Sequence, residues 1–134
     1  MSANWIEDIE TMHHKYGVNE KVREFDANKL AEFLQFRIRF LQEELNELQN
    51  SQSGDDAVDA LIDLCVVAIG TLDAFGVNAE RAWNAVHDAN MAKAPGVKPE
   101  RPNPLGLPDL IKPEGWTAPS HVHNHAYLDT LFDG

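Results

Sequence analysis

Cysteine is nearly missing from this chain. Cys65 is the only one in 134 residues, so no internal disulfide can staple the fold and an apolar core must hold it. That usage fits a reducing compartment, and a cytoplasmic location is the expectation. No apolar run reaches bilayer length. The longest, from about Ala60 to Leu72, is interrupted by Asp63, whereas a membrane helix needs about 20 apolar residues. The opening residues through Asp8 are acidic and lack the basic start and apolar stretch of a signal peptide. A soluble protein without a membrane partner is expected. Positive charge is scarce too, with 11 Lys and Arg against 22 Asp and Glu, a net charge of −11. Such a field repels a phosphate backbone, so nucleic acid is not an expected partner. Small phosphorylated ligands stay compatible where a divalent cation bridges them to carboxylates. No GxxxxGK[ST] loop, GxSxG elbow or Ser/His/Asp order occurs, which removes the P-loop and serine-hydrolase classes.

What is present is helical periodicity. The length suits a single core, and 43% of residues are apolar. A first helix is expected from Asn4 to Tyr16, with Trp5, Ile9 and Met12 on one face and Gly17 as its stop. The second begins at Asp26, a good N-cap, and runs to about Asn50. Leu30, Leu34, Ile38, Leu41, Leu45 and Leu48 follow helical steps of three and four. Phe33, Phe36 and Phe40 add a second apolar strip. After a turn at Ser51 to Gly54, a third helix is expected from Asp56 to Phe75, closed by Gly76. A fourth starts at Asn78 and carries Ala82, Trp83, Val86 and Met91. Short connections imply antiparallel neighbours, hence an all-α, antiparallel four-helix bundle over residues 1–94. All seven prolines lie between Pro95 and Pro119, so residues 95–134 read as an extended tail packed on the bundle or on a partner subunit.

The chemistry concentrates in acids. Glu43, Glu44 and Glu47 lie within one turn on the second helix, where like charges repel by roughly a few tenths of a kcal/mol per pair. Taken alone they read equally as a solvated acidic face. On the third helix Asp56, Asp59 and Asp63 share a face at spacings of three and four. Asp63 sits among apolar neighbours, so it must be paired, protonated or metal-bound. An ion pair with Arg37 or Arg39 is the structural alternative, although two arginines cannot neutralise five or six carboxylates. Hard oxygen ligands on facing helices suit Mg²⁺, with Mn²⁺ as a substitute. With no Cys/His set nearby, zinc is disfavoured.

Several segments carry a family resemblance. Glu44-Leu-Asn-Glu47, followed by Asp59-Ala-Leu-Ile-Asp63, resembles the ExxE…ExxD signature of the all-α NTP pyrophosphatases, the MazG-like superfamily. The stretch from Phe33 to Glu47 is similar to that family's metal-binding helix. Val86-His-Asp-Ala-Asn-Met-Ala-Lys93 and Lys112-Pro-Glu-Gly-Trp116 resemble segments of its short bacterial and phage members, often called phosphoribosyl-ATP pyrophosphohydrolase-like. The likeness spans about Met12 to Trp116. It departs at Ala60, where the family has Glu, leaving Asp59 and Asp56 as substitutes and the number of metals open.

The resemblance implies water attack on the α-phosphate of an NTP or dNTP, releasing pyrophosphate. It assigns Glu44, Glu47, Asp63 and Asp59 to magnesium, and Glu43 either to the metal or to activating the water. Asn90 and Lys93 would grip phosphate, sugar or base. Arg37 would contact phosphate or pair with an acid. Lys112 would close over the site, and Trp116 reads as a docking anchor. A homodimer, or a tetramer, would complete the apolar faces. Two other readings stand beside this one: a phosphoribosyl-ATP pyrophosphohydrolase, and a non-enzymatic acidic helical module docking a partner through its tail. The alternating His121, His123 and His125 read as a weak motif. His13 and His14 read as exposed residues at a helix end, and His87 as an inward residue on the fourth helix.

Overall fold

A computed structural model describes residues 4–98, 100 and 105–132 of the chain. Among them are six α-helices: α1 (Trp5–Tyr16), α2 (Val18–Val22), α3 (Ala27–Gln49), α4 (Gly54–Ala74), α5 (Ala79–Met91) and α6 (Asp129–Phe132). A two-stranded antiparallel sheet joins β1 (Ala94–Gly96) to β2 (Asp109–Ile111), and a 3-10 turn covers Ala126–Leu128.

The long helices start where short polar side chains occupy orphan amides. Asn4 accepts from the Glu7 N–H at 3.0 Å, Asp26 from Lys29 at 2.9 Å, and Ser53 from Asp56 at 3.1 Å. Each satisfies an amide that the helix cannot reach. The first helix stops at Gly17, whose φ of 69° lets its N–H turn back onto the carbonyls of His13 and His14. Because Ser53 is the cap, α4 begins two residues ahead of the Asp56 start that its spacing suggested.

Chain contacts divide the protein into two compact units, one running to Ala79 and resuming at His123, the other covering Glu80–Val122. In the first unit α3 packs along α4, α1 and α2 pack on α4, and α6 packs on α3. Ile9, Val22, Leu30, Ala60, Val67, Ala74 and Phe75 form its buried interior. Phe75 is fully buried, and its ring lies 5.4 Å from that of Phe33, which is 6.1 Å from Phe25. Large buried aromatics of this kind dominate the energy of a small core.

Three features differ from the sequence expectation. An extra helix, α2, forms between the first two long ones because its register buries Val22. On α1 only Ile9 of the expected apolar face is buried; Trp5 and Met12 are exposed. The segment after Ala94 is not a continuous extended tail. It contains the β1–β2 pair, and its end returns to the first unit. There Asn124 brackets Asn78, accepting from its N–H at 2.8 Å and donating to its carbonyl at 2.9 Å, while the Tyr127 N–H donates to Phe75 O. The chain is mostly helical with helices packed on one another, and the six described helices do not reduce to a plain four-helix bundle.

Candidate metal centre

The α3–α4 pairing brings together residues from two sequence-distant turns. Glu44 and Glu47 are three apart on α3, so they share a face, and Asp63 faces them from α4. One carboxylate oxygen from each lies within 4.8 Å of the others. Glu44 is buried, Asp63 half-buried and Glu47 exposed, so the group opens toward solvent through Glu47.

Glu44 is the most strained of the three electrostatically. Its pKa is raised, first by burial, then by the charge of Glu47 and a hydrogen bond to it, and then by the charges of Asp63 and Asp59. A hydrogen bond between two carboxyl groups needs a proton between them. Each of these causes favours the neutral form of the Glu44 carboxyl. The other oxygen of Glu44, Oε2, is buried without a hydrogen-bond partner. An orphaned buried acceptor beside two further carboxylates is what a hard cation satisfies, and an all-oxygen donor set fits Mg²⁺ or Mn²⁺ rather than zinc.

The remaining acids fall outside the trio. Asp59 is exposed and contributes charge to Glu44 without joining the group. Glu43 is exposed on α3 and is likewise not in it. Asp56 accepts a bond from the Gln52 N–H at 3.4 Å, at the start of α4. The structural alternative, an arginine partnership, is not seen: among the described residues neither Arg37 nor Arg39 forms an ion pair with Asp63. Arg37 lies over the Phe33 ring, 5.2 Å from its centre. Its Nε is buried without a partner, and burial lowers its pKa.

One buried polar network escaped the sequence reading. His13, expected at the surface, is only 3% exposed. Its Nδ1 lies 2.7 Å from Asp73 Oδ2, which also accepts from Asn19 Nδ2 at 3.0 Å. Next to it is a cavity of about 240 Å³ lined in part by Glu10, His14, Glu20 and Arg23. Gly70 makes room for the network, since a Cβ there would come 3.3 Å from His13 Nε2. His13 and Asp73 are 60 residues apart, and no local pattern pairs them. By contrast His87 is exposed, and His125 is engaged with Asp129 at 2.8 Å. A φ of 62° at His123 breaks the extended alternation expected of the three tail histidines.

The second unit holds Asn90, Lys93 and Lys112. Trp116 donates its indole N–H to Ala89 O at 2.8 Å, and the Nζ atoms of Lys93 and Lys112 lie 5.3 Å and 5.2 Å from its ring centre. Trp116 is thus an anchor within its unit, as its residue type suggested. Among the described residues no single helix is long and apolar enough to cross a membrane.

Comparison with curated proteins finds no match. The phosphoribosyl-ATP pyrophosphohydrolase family, part of the MazG-like all-α NTP pyrophosphatase superfamily, matches residues 10–90. That span contains the whole acidic trio and the helices that present it. The chain belongs to the phosphoribosyl-ATP pyrophosphohydrolase family, and its chemistry is of the pyrophosphohydrolase type.

Proposed function

We propose that this protein is a Mg²⁺-dependent nucleoside triphosphate pyrophosphohydrolase, converting an NTP or dNTP and water to the monophosphate and pyrophosphate in nucleotide-pool control or house-cleaning. The observation that carries the reading is the trio of Glu44, Glu47 and Asp63 within 4.8 Å, with a buried Glu44 oxygen left without a partner. Glu44, Glu47 and Asp63 would hold the cation, with Asp59 close enough to add charge. Bound there, Mg²⁺ or Mn²⁺ supplies charge neutralisation for the polyphosphate and acidifies a coordinated water. Glu43, exposed and outside the trio, would either ligate the cation as well or accept the proton of the attacking water. Arg37, Asn90, Lys93 and Lys112 are assigned to the substrate. Arg37 has an unpaired buried donor, and the other three are polar groups on the second unit.

The family's own name supports a second substrate, phosphoribosyl-ATP. Both reactions cleave the same kind of anhydride, so the acidic trio serves either. The deciding experiment measures pyrophosphate release from a panel of NTPs, dNTPs and phosphoribosyl-ATP with Mg²⁺ or Mn²⁺. The proposal expects fastest turnover on a member of the nucleotide panel. Preference for phosphoribosyl-ATP would transfer the protein to the second reading, and no metal-dependent release at all would leave an acidic interaction module.

The protein is also proposed to act as a cytoplasmic homodimer. Leu45 on α3 and Val58, Leu61 and Ile62 on α4 are exposed apolar side chains on the two helices that build the site. A second copy would cover such a face.

A further inference from the structure

We propose that residues 123–132 form a strained strap over the junction at residues 75–78, one that opens and closes as a unit while α3 and α4 stay folded. Its release turns residues 80–122 from a loop pinned at both ends into a segment held at one. The strap lies outside residues 10–90, the span that the family matches, and its action is independent of which anhydride is cleaved.

Topology supplies the first observation. The chain leaves the first unit after Ala79 and re-enters it at His123. At the re-entry Asn124, only 8% exposed, accepts from the Asn78 N–H and donates to the Asn78 carbonyl. The Tyr127 N–H donates to Phe75 O at 3.1 Å, and α6 lies on α3. A Cβ at Gly76 would come 3.4 Å from Ala126 Cβ, so the strap also lies directly on the turn that ends α4. All of these residues belong to the first unit. Each of the three hydrogen bonds reaches a backbone atom of the junction, and together they tie the two ends of residues 80–122 at one point. Closing so long a loop costs chain entropy, which opening returns.

Strain is the second observation. Among the described residues, His123 and Ala126 are the non-glycine residues with positive φ, at 62° and 48°. They flank Asn124, in a conformation where Cβ crowds the following carbonyl. Such residues persist only where their surroundings hold them. Here the holding surface is thin. Within residues 123–132 Asn124 is buried, Leu128 and Leu131 are half-buried, and the others are exposed. The exposed pair of His125 and Asp129 adds little. Beneath the strap the junction is different, since Phe75 is fully buried and packs on Phe33 of α3. A strained, weakly buried segment on a well-packed base is the part of a fold that opens first. A ligand that needs residues 80–122 ordered therefore favours the closed strap.

The test is native-state hydrogen exchange on the full chain. Nanosecond anisotropy of Trp83 and Trp116, in a Trp5→Phe background, reports the motion of residues 80–122. The Asn78 and Tyr127 amides are expected to exchange through one shared opening, faster than amides in the middle of α3 and α4. Asn124→Ala should speed both by about tenfold or more, leave the α3 amides unchanged and widen the local motion of the two tryptophans. Ala126→Gly should slow both by about twofold or more, because glycine adopts the left-handed conformation without crowding. Exchange of Asn78 only at the rate of the α3 core, unlinked responses of Asn78 and Tyr127, faster exchange in Ala126→Gly, or unchanged anisotropy in Asn124→Ala would overturn the proposal. Should Asn124→Ala fail to fold, the wild-type rates and Ala126→Gly still decide it. No turnover is measured, so failure here leaves the hydrolase reading intact.

Discussion

Glu44 concentrates the energetics of the site in one carboxyl group. Its pKa is raised chiefly by burial and then by Glu47, so the folded state keeps the proton to higher pH than the unfolded chain does. Protonation therefore favours the fold. The stabilisation is complete below the ordinary glutamate range and is lost as pH rises through the elevated folded-state value. In metal-free protein near pH 7, Glu44→Gln is expected to raise the melting temperature by a few degrees, a gain of roughly 1 kcal/mol for a domain of this size. The gain should shrink as the solution is acidified, and added Mg²⁺ should stabilise wild type but not the variant. Thermal unfolding across pH, with and without Mg²⁺, checks all three outcomes. His13 behaves differently. Removing it leaves the Asp73 carboxylate part-buried without its imidazole, and His13→Ala should cost about 2–4 kcal/mol by urea unfolding. Residue-scale legibility follows the same division. Asp63 stood out because an acid in an apolar helix run is anomalous in one dimension, whereas Glu44 and Glu47 were singled out by their spacing and by the family resemblance. Glu43 and Asp59 shared the spacing without joining the trio. His13 owes its role to a partner 60 positions away, which no spacing encodes.

At the scale of elements, caps and periodicity located the long helices to within a few residues, since a cap and the apolar step it starts are local signals. Ser53 is the instructive boundary. Its side chain holds the Asp56 amide and so sets the phase of α4 that points Asp63 at α3. Ser53→Ala is expected to cost about 1 kcal/mol of stability, measurable by chemical denaturation, with only a small effect on metal affinity because the α3–α4 packing is extensive. The pairing of β1 with β2 was illegible for the opposite reason. Three-residue strands surrounded by prolines carry no alternation, and their register depends on a contact across more than a dozen residues. The short α2 was missed likewise, as five residues give too little periodicity to stand out.

For the whole molecule, charge and helix content were legible from composition, whereas the exposed apolar side chains were not, because periodicity reports which residues share a face and not whether that face is covered. Val58, Leu61 and Ile62 stand on α4 with large exposed areas. If a second copy covers them, light scattering should give twice the chain mass, and Leu61→Glu should return it to monomer at micromolar concentration. The central claim is that three carboxylates on two helices hold the cation needed for anhydride cleavage. Its most direct test is the rate of pyrophosphate release from the preferred nucleotide as a function of Mg²⁺, compared between wild type and Asp63→Asn. Saturable Mg²⁺ dependence in wild type, with a loss of about 100-fold or more in a still-folded variant, is the predicted result. An Asp63→Asn protein that keeps the wild-type rate and Mg²⁺ dependence would contradict it.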